Sequence, residues 1–104
     1  MKQLLVSALA GAGLAWAAVA HAADQGEELM KRNGCVNCHA IDKKVAPSFK
    51  EVAAKYKGDK QAEAKLTEKV KKGGSGVWGQ VPMPPNAQVK DEDIKTIVRW
   101  VLTQ

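Results

Sequence analysis

The chain has 104 residues, of which 16 are Lys or Arg and 11 are Asp or Glu, so its formal net charge is +5. This length is enough for one small domain and excludes a multidomain protein. The basic balance does not indicate nucleic-acid binding, because aromatic residues are not interleaved with the basic ones on one face. The sequence also lacks internal repeats, a Walker loop and a dinucleotide-binding glycine motif.

Residues 1–22 are predicted to be a cleaved secretory signal peptide. Lys2 supplies the positive start, residues 4–20 form an apolar run, and a small-x-small pattern ends at Ala22. The alternative is an uncleaved membrane anchor, but the run is near the lower limit for spanning a bilayer. We therefore expect one exported domain at 23–104, located in the periplasm without membrane insertion. Loss of the leader lowers the net charge to +4, because Lys2 is its only charged residue.

We predict an all-α fold for the exported part, because its sequence contains no alternating strand pattern of useful length. Capping-box spacing marks helix starts at Asp24 and Ser48, and Asp59 and Asp91 are predicted to open two more helices. The loop at residues 78–86 contains three prolines and cannot be a regular helix. The predicted helices span about residues 24–32, 48–56, 59–72 and 91–102.

An exported domain of 82 residues has only a marginal hydrophobic core and is expected to need a further source of stability. Its two cysteines, Cys35 and Cys38, are three positions apart. A disulfide between them would close a very short loop and add little stability. A buried cofactor would stabilise such a domain more effectively.

Cys35, Cys38 and His39 form the pattern C-x-x-C-H, which is the attachment signature of c-type haem. The spacing lets one helical turn bring both thiols to the two vinyl groups on one porphyrin edge, with the histidine beneath the iron. A thioredoxin-like redox pair would need a βαβ context, which is absent, and a zinc site would need about four ligands. We predict one haem c, bound covalently through Cys35 and Cys38.

The second axial ligand is predicted by elimination. Without the leader, His39 is the last histidine left. Met30 lies just before the attachment motif and is poorly placed for the opposite haem face, whereas Met83 lies between prolines that restrict its backbone. We predict His39 and Met83 as iron ligands, a pair that cytochromes c use. The alternative is that Met83 only fills a gap between helices.

Two filled axial positions leave no place for oxygen or a substrate, which favours single-electron transfer and argues against an enzyme. A thioether sulfur also stabilises ferrous iron and raises the reduction potential. Two alternatives stay open. One is a haem enzyme or gas sensor with an open iron position, if Met83 does not bind iron. The other is a structural module of a larger complex.

Four motifs in order give the exported part a resemblance to a known family. They lie at residues 34–42, 77–79, 82–86 and 99–102. With them, residues 23–104 resemble the small class I bacterial cytochromes c of the cytochrome c-551 type. The resemblance implies a cytochrome c fold, with four to five short helices around one covalently bound haem and crossed N- and C-terminal helices.

The resemblance also implies roles for single residues. Pro47 is similar to the family proline whose carbonyl accepts a hydrogen bond from the axial histidine. Trp78 resembles the indole that donates to a haem propionate, and Asn86 resembles the amide that hydrogen-bonds near the methionine sulfur. Simpler roles, in the core for Trp78 and in a turn for Asn86, remain alternatives. Lys69 stands where relatives often carry arginine beside a propionate, and that contact is left open because lysine lacks the bidentate fork.

Members of this family carry electrons from a membrane quinol-oxidising complex to terminal reductases or oxidases. The resemblance suggests a nitrite reductase of denitrification as one acceptor. We expect a monomer that makes transient contacts with periplasmic or membrane redox proteins. Lys43, Lys44, Lys71 and Lys72 form adjacent pairs that could steer an acidic partner, the alternative being an ordinary solvated lysine-rich surface.

Overall fold

The computed structural model describes residues 25–40 and 46–104. The helical elements are α1 (residues 25–32), a 3₁₀ turn at Cys35–Asn37, α2 (Phe49–Lys55), α3 (Ala62–Lys72) and α4 (Asp91–Leu102). Within this part of the chain the only extended pairing is an isolated antiparallel bridge between Gly74 and Met83. The predicted all-α class is confirmed.

The start of α2 follows the predicted capping box, whereas the start of α3 differs from the prediction. The Ser48 hydroxyl accepts from the Glu51 amide at 3.1 Å, and the Glu51 carboxylate accepts from the Ser48 amide at 3.3 Å. Asp59 does not cap α3 directly: its carboxylate accepts from the amide of Gln61, and Gln61 is the residue that precedes the helix. Asp59 therefore forms a turn, and α3 begins at Ala62.

The core is centred on α4, which contacts both α2 and α3. The buried side chains of α4 are Ile94, Ile97, Val98, Trp100 and Val101. The first turn of α4 is acidic, and these negative charges stabilise the helix because they lie at the positive end of its dipole. Helix α1 reaches α4 at Gly26, where an added Cβ would lie 2.4 Å from the Trp100 Cβ. Only a residue without a side chain permits this close approach of α1 to α4.

The segment between α3 and α4 turns back onto the end of α3. Met83 and Gly74 exchange two backbone hydrogen bonds, and the Asn86 amide donates to the Val70 carbonyl at 3.1 Å. This docking places the proline-rich loop beside the C-terminal turn of α3.

Three predictions lie outside the described residues: the leader, the helix start at Asp24 and the Lys43–Lys44 pair. In the part that is described, no helix combines the length and the apolar character needed to cross a membrane.

Candidate functional site

One cavity of about 300 Å³ lies between the C-x-x-C-H motif, helices α2 to α4 and the loop after α3. Apolar side chains such as Leu66, Ile97 and Val101 contribute to its wall. The volume is at the lower end of the range of small-molecule and cofactor sites, roughly 300–1,000 Å³. The residues that line it include all seven predicted site residues: Cys35, Cys38, His39, Pro47, Trp78, Met83 and Asn86.

The two cysteines approach the cavity from a tight turn. Gly34 has a left-handed φ of 74° and starts the 3₁₀ turn, in which the Cys38 and His39 amides both donate to the Cys35 carbonyl. The two cysteines do not form a disulfide with each other, and Cys35 is half-buried whereas Cys38 is exposed. Burial raises the pKa of the Cys35 thiol. The turn thus brings two thiols and an imidazole to one wall, which fits a porphyrin attached along one edge.

The ring of His39 is held from two sides. Its Nδ1 lies 2.8 Å from the Pro47 carbonyl oxygen. Because a carbonyl oxygen only accepts, Nδ1 carries the proton and Nε2 keeps its lone pair. The Phe49 ring stacks against the imidazole at 5.5 Å between centroids, with 23° between planes. Among the described residues Nε2 has no hydrogen-bond partner, so it is a suitable nitrogen donor for iron.

The structure separates the two methionines of residues 23–104. Met30 is 2% exposed and packs in the core cluster, away from the cavity lining. Met83 is half-buried and lines the cavity. Its backbone is fixed to Gly74, with Met83 N to Gly74 O at 2.8 Å and Gly74 N to Met83 O at 3.0 Å. Met83 therefore offers the thioether sulfur that a haem in this cavity could use.

The remaining predicted residues border the cavity with different contacts. Trp78 is 45% exposed, so it is not a core residue, and the Lys55 Nζ lies 5.4 Å from the ring centroid. The Asn86 side-chain amide donates to the carbonyls of Val70 at 3.1 Å and Pro84 at 3.3 Å. Both amide hydrogens thus have carbonyl partners, and the contact with the Met83 sulfur stays a prediction.

Sequence reasoning missed two residues that shape the site. Helix periodicity indicates only a core position for Phe49, whereas in the structure its ring also stacks on His39. A glycine after a helical pattern indicates only the end of the helix, whereas a Cβ on Gly73 would lie 2.3 Å from the Met83 carbonyl oxygen. Neither role has a local sequence signal, because each depends on a partner that the fold brings in.

Comparison with known proteins agrees with this geometry. The family model for cytochrome c matches residues 23–104. The chain is 49% identical to cytochrome c-551 of Pseudomonas aeruginosa, over 100% of this chain and 99% of that protein. It is 57% identical to cytochrome c-551 of Azotobacter vinelandii over 77% of this chain and 98% of that protein.

The structural comparison gives the same result. The crystal structure of wild-type cytochrome c552 from Nitrosomonas europaea matches with a TM-score of 0.71 and 47% identity, covering 74% of this chain and 96% of that one. The family carries covalently bound haem c, and both cysteines that hold it are present here. The chain belongs to the cytochrome c family, as a small electron-transfer protein of the bacterial class I, c-551 type.

Proposed function

We propose that this protein is a periplasmic one-electron carrier whose haem iron is ligated by His39 and Met83. The observation that carries the proposal is the cavity, which is lined by both residues, with the His39 Nε2 lone pair free and Met83 held by its backbone. Met30, the other methionine of the exported part, is buried in the core and does not compete.

The chemistry of the site follows from what each residue offers. A bound haem supplies one iron that takes up or releases a single electron. The Pro47 carbonyl fixes the imidazole ring and increases its basicity through Nδ1. The Met83 thioether is a weak donor that favours ferrous iron. The apolar wall acts in the same direction, because it disfavours the extra positive charge of the ferric state.

The absorption spectrum of the ferric protein tests the ligand assignment. A methionine sulfur bound to ferric haem gives a weak charge-transfer band in the far red. We expect this band in the native protein and its loss in Met83→Ala. Met30→Leu is the matched control, because a volume-conserving change in the core leaves the cavity lining intact. A band that survives Met83→Ala would assign the sulfur to another methionine, and a native protein without the band would favour an open iron position. Either result overturns the assignment.

We also propose that residues 1–22 are removed on export. This is supported by the family match, which starts at residue 23. The small-x-small pattern before that residue agrees with the same cleavage point. The intact mass of the haem-loaded protein from a periplasmic extract tests the proposal. A mass that corresponds to residues 23–104 plus one haem supports it, and retention of the leader contradicts it.

We propose that the carrier is a monomer that docks briefly with a membrane quinol-oxidising complex as donor and a terminal reductase or oxidase as acceptor, with nitrite reductase a candidate acceptor. The predicted basic surface is partly neutralised at one end. Lys71 pairs with Asp91, and Lys72 Nζ lies 2.6 Å from Glu68 Oε1. Exposed ion pairs of this kind contribute little to stability and are screened by salt.

Rapid mixing of the reduced protein with purified nitrite reductase at two ionic strengths tests this docking. Electron transfer that slows as salt increases supports steering by basic side chains. A rate that does not depend on salt would exclude steering by the lysine side chains. The absence of electron transfer would exclude nitrite reductase as an acceptor.

A further inference from the structure

The backbone of Met83 is held close to the end of α3. The bridge to Gly74 fixes Met83 from one side, and three residues further on the Asn86 amide donates to the Val70 and Lys71 carbonyls at 3.1 Å each. The segment from Met83 to Asn86 is therefore attached at one end to Gly74, just beyond α3, and at the other end to the last turn of α3. The position of Met83 depends on how closely this segment can approach the helix.

Gly73 is the residue at which the approach is closest. A Cβ on Gly73 would lie 2.3 Å from the Met83 carbonyl oxygen and 2.8 Å from the Pro85 nitrogen. It would also lie 2.9 Å from the Pro84 carbonyl carbon. All three atoms belong to the backbone, and two successive prolines restrict how that backbone can move. A side chain at residue 73 can be accommodated only if the segment moves away from α3.

We propose that Gly73 is a positioning residue for Met83: its missing side chain sets how closely the Met83 segment packs on α3, and thereby where the Met83 sulfur lies in the cavity. This inference rests on the proposed ligation of iron by Met83. The neighbouring Gly74 does not share the role, because a Cβ there would meet only the flexible end of the Lys69 side chain.

Gly58 provides a control for the cost of a positive φ without a steric contact. Gly73 and Gly58 both have left-handed φ values, 69° and 81°. An alanine at either position therefore suffers the conformational penalty of positive φ. A Cβ on Gly58 would meet no atom within 4 Å. Gly73 also has a ψ of −166°, in a backbone region that alanine avoids. An effect of Gly73→Ala beyond that of Gly58→Ala is therefore assigned to the contact with the Met83 segment only where it disappears in the Met83→Ala background.

The experiment measures the affinity of the ferric holoprotein for imidazole, which competes with Met83 for the iron. Overpacking against a rigid segment disfavours the Met83-bound state, so Gly73→Ala should bind imidazole about tenfold more tightly or better. Its far-red band should weaken in parallel. Gly58→Ala should match the native protein in both readouts. Equal affinities in Gly73→Ala and Gly58→Ala overturn the inference.

The Met83→Ala background completes the test. If Gly73 acts through Met83, adding Gly73→Ala to Met83→Ala leaves the affinity for imidazole unchanged, and a further increase of similar size overturns the inference. If Gly73→Ala alone does not accumulate as holoprotein, accumulation of the double variant supports the inference, whereas failure of both variants contradicts it. A native protein without the far-red band would instead refute the proposed ligation, so the two failures are distinguishable.

Discussion

The crossing of α1 and α4 allows a quantitative prediction for Gly26→Ala. In most helix positions this change stabilises a protein, by up to about 1 kcal/mol, because glycine is a poor helix former. Here the added Cβ would lie 2.4 Å from the Trp100 Cβ and 2.9 Å from the Thr96 carbonyl oxygen. Both atoms move only with the backbone of α4, so the two helices must separate.

The magnitudes decide the sign of the effect. Overpacking of a core typically costs roughly 1–3 kcal/mol, and the rigidity of both contacts places this site near the upper end. After subtraction of the helix-propensity gain, we expect a net loss of about 2 kcal/mol. For a domain of this size, that loss lowers the melting temperature by about 10 °C.

Thermal unfolding of the holoprotein, followed by circular dichroism, measures the effect. Ala64→Gly on the exposed side of α3 calibrates the helix-propensity difference in the same protein. The reasoning is refuted if Gly26→Ala raises the melting temperature by as much as Ala64→Gly lowers it. That result would mean that the helices separate at no cost.

Two further predictions concern acid stability and the support of His39. A hydrogen bond from Lys65 lowers the pKa of Asp59, so this carboxylate stabilises the folded state above its unfolded pKa and the contribution is lost as pH falls below about 4. The melting temperature of Asp59→Asn should therefore fall less steeply than that of the native protein between about pH 6 and 3, and parallel slopes would contradict this. Phe49→Leu keeps most of the apolar volume but removes the ring that stacks on His39, and should reduce the unfolding free energy by about 1–3 kcal/mol. Unchanged denaturant midpoints would show that the ring contact contributes nothing.

Features with local signals could be predicted from the sequence. The capping box at Ser48 and the apolar spacing of α4 depend on residues within one or two turns, and the structure has both. The residues of the C-x-x-C-H motif are close together in the chain, so their proximity at the cavity could be predicted without knowledge of the fold. The structure places Met83 at the cavity and Met30 in the core cluster, and the choice of Met83 as iron ligand stays a prediction.

Features that depend on tertiary contacts, or on the exact geometry of a turn, could not be predicted. Asp59 has the residue type of a helix cap, but a turn at Gln61 intervenes before α3. The side-chain amide of Asn86 donates to the Val70 carbonyl near the end of α3, and this contact requires the loop to be folded back. Gly73 looks like an ordinary helix stop until the Met83 segment is placed against it. In each case the decisive contact is made by tertiary packing or by local geometry that residue type alone does not specify.

The central claim is that this chain fills both axial positions of its iron with its own His39 and Met83. Exposure of the dithionite-reduced holoprotein to carbon monoxide tests this claim directly, because carbon monoxide binds ferrous haem wherever an axial position is open or easily vacated. The account predicts that the visible spectrum at neutral pH is the same with and without the gas. A rapid shift to a carbon monoxide-bound spectrum would contradict it.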